Sequence, residues 1–253
     1  MTSILEKLMI NIVIPMAGQG SRFIEAGYKN PKPFIDVFGK PMIIRVLENL
    51  VHPGVKFYLI AHEEHISKES TIVRDIKNKF NVEFIFIKKN TEGAVCTVLF
   101  ARKFINNSVP LLIANSDQII DINIEDFVND CKQRKLGGSI LTFVDKQKNP
   151  KWSFAKVDNN KLVTEVKEKL AISKYATVGI YLYSKGKDFV DASINMLIEN
   201  ERVNGEFYTC PVYNWAIKEG ISIGIYNIDF NKMHGIGTPK DLNFYIENFL
   251  KNQ

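Results

Sequence analysis

The strongest constraint on the fold is a rhythm: short apolar segments rich in Val, Ile and Phe alternate with amphipathic stretches along the chain. About four to eight such residues bounded by turn formers predict a buried strand, and apolar positions three and four apart predict a helix. The strands predicted in this way are 11–16, 55–61, 82–87, 110–114, 139–144, 176–183 and 221–228. The predicted helices are 42–51, 63–80, 94–105, 124–135, 186–201, 210–219 and 239–249. Pro239 falls in the first turn of the last helix, behind Thr238 as cap, where its missing N–H does no harm. The order up to the strand ending at Ala114 is β-α-β-α-β-α-β. That order predicts an α/β fold with a doubly wound, mostly parallel, Rossmann-like sheet covered by helices on both faces. After Gly137 the strands crowd together, which predicts a smaller antiparallel lobe over one end of the sheet.

A length of 253 residues, at about 150 per domain, allows one large or two small domains. No linker, repeat or low-complexity tract is present, so one domain over 1–253 is expected, with halves at about 9–136 and about 137–253. A composition 45% hydrophobic and 24% charged excludes disorder, collagen and coiled coil. No apolar stretch approaches the roughly 20 residues of a membrane span, and the N-terminus carries no signal-peptide pattern. Cys96, Cys131 and Cys210 are odd in number and share no short spacing, which argues against a disulfide framework or zinc cage and for a reduced cytoplasm. Lys and Arg number 33 against 28 Asp and Glu, a spread excess of +5 that favours a small anionic ligand without calling for nucleic acid.

In an open α/β sheet the ligand lies beyond the carboxyl ends of the strands. The first strand here runs into Ala17-Gly18-Gln19-Gly20-Ser21-Arg22-Phe23. Two glycines remove Cβ atoms so that backbone N–H groups can approach a phosphate, and Arg22 adds a charged fork that matches phosphate oxygens. The dinucleotide fingerprint fails, because Phe23 stands where its third glycine belongs, and the Walker A pattern is absent. A plain turn explains the glycines but not the arginine after them. Nor does it explain Pro31-Lys32-Pro33-Phe34, where two prolines stiffen the backbone around one lysine, or Gly39-Lys40-Pro41-Met42 beyond it.

A strand followed by G-x-G-S-R-F, then P-K-P, then G-K-P-M resembles the N-terminal signature of the sugar-nucleotide pyrophosphorylase family of nucleotidyltransferases. The resemblance runs over nearly the whole chain. It implies a nucleotide-binding first half, an acceptor-binding second half, and transfer of a nucleotidyl group with release of pyrophosphate. Carried over by position, Ala17, Gly18, Gly20, Ser21 and Arg22 would wrap the triphosphate, and Lys32 would bridge nucleotide and acceptor phosphates. Arg22, Lys32 and Asp117 are the expected catalytic residues. Asp117 follows strand 110–114 and is the expected ligand for Mg²⁺, a hard cation suited to one or two carboxylates plus phosphate oxygens. Its alternative is a helix cap, a role open also to Asp121 or Asn123.

Thr91 and Gly93 open a helix, and in relatives a glycine turn at this place reads the base; an ordinary helix start is the alternative. The acceptor is expected at Glu168, Lys169 and Gly179, with a solvated charged face as the alternative for the first two. Trp152 and Asn204–Tyr208 are further candidates for this lobe. One departure stands out: many relatives carry a second metal-binding aspartate two residues before a late Gly-Thr, and here Gly235 occupies that place. Asp229 and His234 are conceivable substitutes.

The stretches 176–181, 204–214 and 233–242 resemble a bacterial capsule subgroup of the family, which implies CTP as nucleotide and phosphoglutamine or a similar phosphate as acceptor. UTP or dTTP with a sugar 1-phosphate is the alternative within the family, and a non-catalytic nucleotide-binding regulatory module is the alternative outside it. A glycosyltransferase is disfavoured because Ser116-Asp117-Gln118 lacks the Asp-x-Asp pair, and a dinucleotide-dependent oxidoreductase because the third glycine is missing. No nucleic-acid or membrane partner is expected, and a homo-oligomer is left open.

Overall fold

The structure, a computed structural model, describes residues 9–250. The signal-peptide reading of the N-terminus therefore falls mostly on residues outside the described range. Among the described residues no helix is long and apolar enough to cross a membrane.

Among the described residues eleven strands are formed: β1 (Ile10–Pro15), β2 (Val55–His62), β3 (Val82–Ile87), β4 (Leu111–Ala114), β5 (Gln118–Ile120) and β6 (Gly138–Val144), then β7 (Phe154–Val157), β8 (Val163–Lys167), β9 (Tyr175–Tyr183), β10 (Ile223–Ile228) and β11 (Met233–Gly235). The helices are α1 (Ser21–Glu25), α2 (Met42–Leu50), α3 (Glu63–Lys68), α4 (Ser70–Lys79) and α5 (Ala94–Val98), then α6 (Arg102–Ile105), α7 (Ile124–Gln133), α8 (Gly186–Ile198), α9 (Val212–Lys218) and α10 (Pro239–Tyr245). The main sheet runs in the order β10-β6-β9-β4-β1-β2-β3. Strands β1 to β4 are mutually parallel, β10 is parallel to β6, and β9 runs antiparallel to both β4 and β6. This is the expected doubly wound, mostly parallel sheet.

The order arises from burial on two faces. In β1, Ile10, Ile12 and Ile14 pack into one core layer with Phe57, Leu59 and the α2 residues Met42, Ile43, Val46, Leu47 and Leu50. Val13 points into the other layer, with Tyr58, Ile60, Val95, Phe189 and Tyr213. A strand buried on both sides needs apolar residues throughout, which is why these segments are apolar runs rather than alternating ones.

Three expectations are corrected. Strands β6 and β10 do not belong to an antiparallel piece; they extend the central sheet in parallel. Each follows a helix, α7 or α9, and a helical crossover returns the chain in the same direction. The antiparallel lobe is smaller: β9, which returns from a β-hairpin, and the β7–β8 hairpin itself. Strand β9 is long, so its second half pairs with β4 while its first residues, Tyr175 and Ala176, pair with β7 beyond the carboxyl end of β4. The single helix predicted over 63–80 is also interrupted, at Glu69, whose φ of −108° and ψ of 34° leave the helical region. Likewise 94–105 is divided by a 3₁₀ turn at Leu99–Ala101. Thr238 does cap α10: its hydroxyl accepts the Asp241 N–H, with Pro239 behind it.

Candidate active site

A cavity of about 620 Å³ opens at the carboxyl edge of the parallel strands. Its wall includes Ala17, Gly18, Gly20 and Ser21 from the first loop, Lys32, Thr91 and Gly93, and Asn115, Ser116 and Asp117 from the end of β4. The first loop and the Asn115–Asp117 segment, about a hundred residues apart, meet here because β1 and β4 are adjacent and parallel.

Gly20 carries a left-handed φ of 65° at the start of α1, and a Cβ there would come within 2.9 Å of the Lys32 Cβ. The bare glycine lets the lysine stem lie across the loop. Lys32 opens a 3₁₀ turn behind Pro31, in which the Phe34 N–H donates to the Pro31 carbonyl at 2.8 Å. Its ammonium donates to the carboxylate of Asp117, and both side chains are about four-fifths buried, at 21% and 23% exposure. Asp117 is held from behind: its carbonyl accepts the Ile236 N–H at 2.9 Å, and a Cβ on Gly237 would overlap its carboxylate. The helix-cap alternative for Asp117 is closed, because Asn123 caps α7 by accepting the Glu125 N–H.

Gly179 (φ 91°) leaves room for the Asn115 side-chain amide, which fills the space a Cβ would need, and the Gly179 carbonyl accepts the Asn115 N–H at 3.1 Å. In this structure Asn115, not an open face, lies against that glycine. Gly93 (φ 133°) lines the cavity while its Cα presses on the backbone of Phe207, where a Cβ would come within 2.5 Å of both N and O. Phe207 clasps this loop, donating its N–H to the Glu92 carbonyl and accepting the Val95 N–H. Thr91 Oγ1 donates to the Gly93 carbonyl at 3.0 Å and lies 2.6 Å from Thr97 Oγ1.

Other predicted residues lie outside the wall of this cavity. Arg22 sits exposed in the first turn of α1, and its side chain has no hydrogen-bond or ion-pair partner among the described residues. Glu168 accepts a hydrogen bond from Ser153 Oγ, and burial holds its carboxyl above the usual carboxylate range against the opposing effect of that bond and of Lys169. Lys169 donates to Tyr208 Oη at 2.6 Å, a bond that raises its ammonium pKa despite partial desolvation. Trp152 packs edge-on against Phe143 beside a separate cavity that also contains Asp229.

His234 hydrogen-bonds Asp121 at 2.6 Å, is 7% exposed, and packs at a tilt against the rings of Tyr245 and Phe249. These contacts make it a packing residue, and neither conceivable substitute lies in the wall containing Asp117. Across the β5–β11 ladder Gly235 faces Gln118. Among the described residues no three His, Cys, Asp or Glu side chains cluster to cage a metal. One carboxylate still suits Mg²⁺, which keeps several waters and takes its remaining ligands from phosphates. That Asp117 already attracts a cation, the Lys32 ammonium, marks it as the place where positive charge is balanced.

Sequence reasoning missed Asn90 and Asn115 in the wall and did not single out Glu206 within 204–208. Asn90 is bonded to His62 at 2.9 Å. For Glu206 a signal was present: Asn204-Gly205, with φ of 49° and 82°, is a tight hairpin turn that fixes the residue after it.

The sheet, the glycine loop and the lysine–aspartate pair meet in one cavity at the strand ends. The chain belongs to the nucleotidyl transferase family, whose model matches residues 12–208. It is 27% identical over 247 residues to the bifunctional protein GlmU of Methanococcus aeolicus, covering 96% of this chain and 55% of that protein. It is 24% identical over 252 residues to mannose-1-phosphate guanyltransferase of Gibberella zeae, covering 90% and 61%. The chain thus spans little more than half the length of these curated relatives. Its fold is similar to the nucleoside-diphosphate-sugar pyrophosphorylase of Vibrio cholerae RC9, with a TM-score of 0.79 at 23% identity over 94% of this chain and all of that one. It is also similar to the inositol-1-phosphate CTP transferase of T. maritima, with a TM-score of 0.71 at 14% identity over 96% and 98%.

Proposed function

We propose that the chain is a nucleotidyltransferase: an oxygen of an acceptor phosphate attacks the α-phosphorus of a nucleoside triphosphate, a new P–O bond forms, and the bond to pyrophosphate breaks in line with it. The observation that carries this reading is the meeting of Lys32 and Asp117 beside the glycine loop in one cavity. Phosphates are ionised near neutral pH, so the nucleophile needs no general base. What the reaction needs is positioning and relief of charge repulsion between two anions.

In this reading the loop Gly18–Ser21 cradles the β- and γ-phosphates with its backbone N–H groups, and Arg22 steadies the leaving pyrophosphate from the start of α1. Lys32 turns from Asp117 toward the two reacting phosphates, and its ammonium offsets their repulsion. A bound Mg²⁺ would supply Lewis-acid polarisation of the α-phosphate, with Asp117 as its protein ligand. Thr91 and Gly93 border the base, Glu168 and Lys169 belong to the acceptor side, and Gly179 serves that side through the Asn115 amide packed against it.

The finer reading is CTP as donor and phosphoglutamine as acceptor, the reaction of a CTP:phosphoglutamine cytidylyltransferase in capsule or surface polysaccharide synthesis. It is supported by the resemblance of stretches 176–181, 204–214 and 233–242. UTP or dTTP with a sugar 1-phosphate is the second reading; its acceptor class, though not its nucleotide, is favoured by the name of relatives such as mannose-1-phosphate guanyltransferase. A screen of nucleoside triphosphates against phosphoglutamine and hexose 1-phosphates, read by pyrophosphate release with Mg²⁺ present, tests all of this. Release with CTP and phosphoglutamine is the expected result. Release only with a hexose 1-phosphate moves the assignment to the second reading, and no release from any pair leaves a non-catalytic nucleotide-binding module.

A further inference from the structure

Glu206 is a carboxylate in the wall of a cavity otherwise suited to polyphosphate. The backbone forces it there. Val203 and Glu206 exchange two 3.0 Å hydrogen bonds across the Asn204-Gly205 turn, and the next residue, Phe207, is bonded on both sides to the Glu92–Val95 loop. Arg202 pins the turn further, donating to the Gly205 carbonyl and to Glu92 while its guanidinium lies 4.1 Å from the Phe207 ring centroid. Arg202 is paired with Glu92 and Lys32 with Asp117, while Lys169, bonded to Tyr208 Oη, attracts Glu206 through its charge without a direct ion pair. Among the described residues the Glu206 carboxylate has neither an ion pair nor a side-chain hydrogen bond.

A carboxylate carried on a fixed backbone turn and held in no direct ion pair repels phosphate and carbonyl oxygens and attracts N–H donors. We infer that Glu206 is a specificity-determining residue that accepts hydrogen bonds from an amino group of the substrates, so that the site selects an amine-bearing reactant and rejects its carbonyl counterpart. The amine has two sources. It is the exocyclic amine of the base, since Glu206 adjoins the Gly93 loop, or an amine on the acceptor. Cytosine offers such a donor where uracil offers a carbonyl, and a carboxylate discriminates between them by attraction to one and repulsion of the other.

This inference rests on the nucleotidyltransferase reading, so its test uses binding rather than turnover. The whole protein and Glu206→Gln, which keeps the shape and removes the charge, are titrated calorimetrically with CTP and with UTP in Mg²⁺. Both are then titrated with phosphoglutamine and its α-N-acetyl form in the presence of a non-reactive nucleotide analogue. The native protein is expected to prefer the amine-bearing member of one pair, and Glu206→Gln to reduce that preference about tenfold or more. Loss of preference in the nucleotide pair assigns the amine to the base; loss in the acceptor pair assigns it to the acceptor. No preference in the native protein, a preference untouched by Glu206→Gln, or an effect confined to the Mg²⁺ requirement overturns the inference. A failure of pyrophosphate release would count against the reaction alone, because these titrations do not depend on it.

Discussion

Lys32 and Asp117, 85 residues apart in the chain, form an ion pair inside the cavity at the strand ends, the lysine braced by prolines and the aspartate carried just past the end of a buried strand. In the proposed reaction the lysine serves the phosphates and the aspartate serves the metal, so each occupies the other's functional group while the site is at rest. Lys32→Met is therefore expected to have opposite effects on two measurements. Pyrophosphate release falls by about a hundredfold, the scale of losing one electrostatic stabiliser. Binding of Mg²⁺ alone tightens, because the Asp117 carboxylate no longer has a competing ammonium. Asp117→Asn lowers both. Calorimetric Mg²⁺ titration beside a pyrophosphate assay checks the pattern, and weaker Mg²⁺ binding by Lys32→Met would count against it.

Gly20 and Gly18 differ in what surrounds them. Gly20 has a left-handed φ and the Lys32 stem against its Cα, whereas nothing lies within 4 Å of a Cβ built on Gly18. Gly20→Ala is expected to cost about 1–2 kcal/mol from backbone strain alone and to push Lys32 away from the loop. Gly18→Ala is expected to leave the melting temperature unchanged. Thermal unfolding of the two variants side by side separates these outcomes.

Glu168 supplies a pH test. Burial raises its folded-state pKa, so the folded protein holds that proton more tightly than the unfolded chain. Stability from this group is present in full below the ordinary carboxylate pKa and is lost as pH rises through the raised folded value. Glu168→Gln keeps an acceptor for Ser153 and removes the ionisation. It is expected to raise the melting temperature relative to the native protein at about pH 8 and to lose that advantage at about pH 4, as measured by thermal unfolding at the two values.

Gly235 stands open, with only Gln118 Oε1, at 3.8 Å, near a Cβ built there and without a left-handed φ. Gly235→Asp is expected to fold normally. It is also expected to lower the Mg²⁺ concentration needed for half-maximal pyrophosphate release, since a second carboxylate adds attraction for the same cation. An Mg²⁺ titration of activity, with circular dichroism as the folding control, checks both parts.

Much of the molecule was determined locally. Strand and helix alternate because each apolar run or amphipathic stretch carries its own period, and Thr238-Pro239 starts a helix through its own cap. The glycine loop and the proline-braced lysine are equally local, since backbone freedom and stiffness belong to the residues that carry them. Whatever depends on a partner distant in sequence was decided only by the tertiary structure. The parallel insertion of β6 and β10 follows from how helices cross over the sheet, which no strand encodes by itself. The contacts at Gly179 with Asn115 and at Gly93 with Phe207 depend on which segments the sheet brings together, and the same is true of Glu206 in the cavity wall. A residue's type sets what it can bind, but packing over long sequence separations sets what it meets.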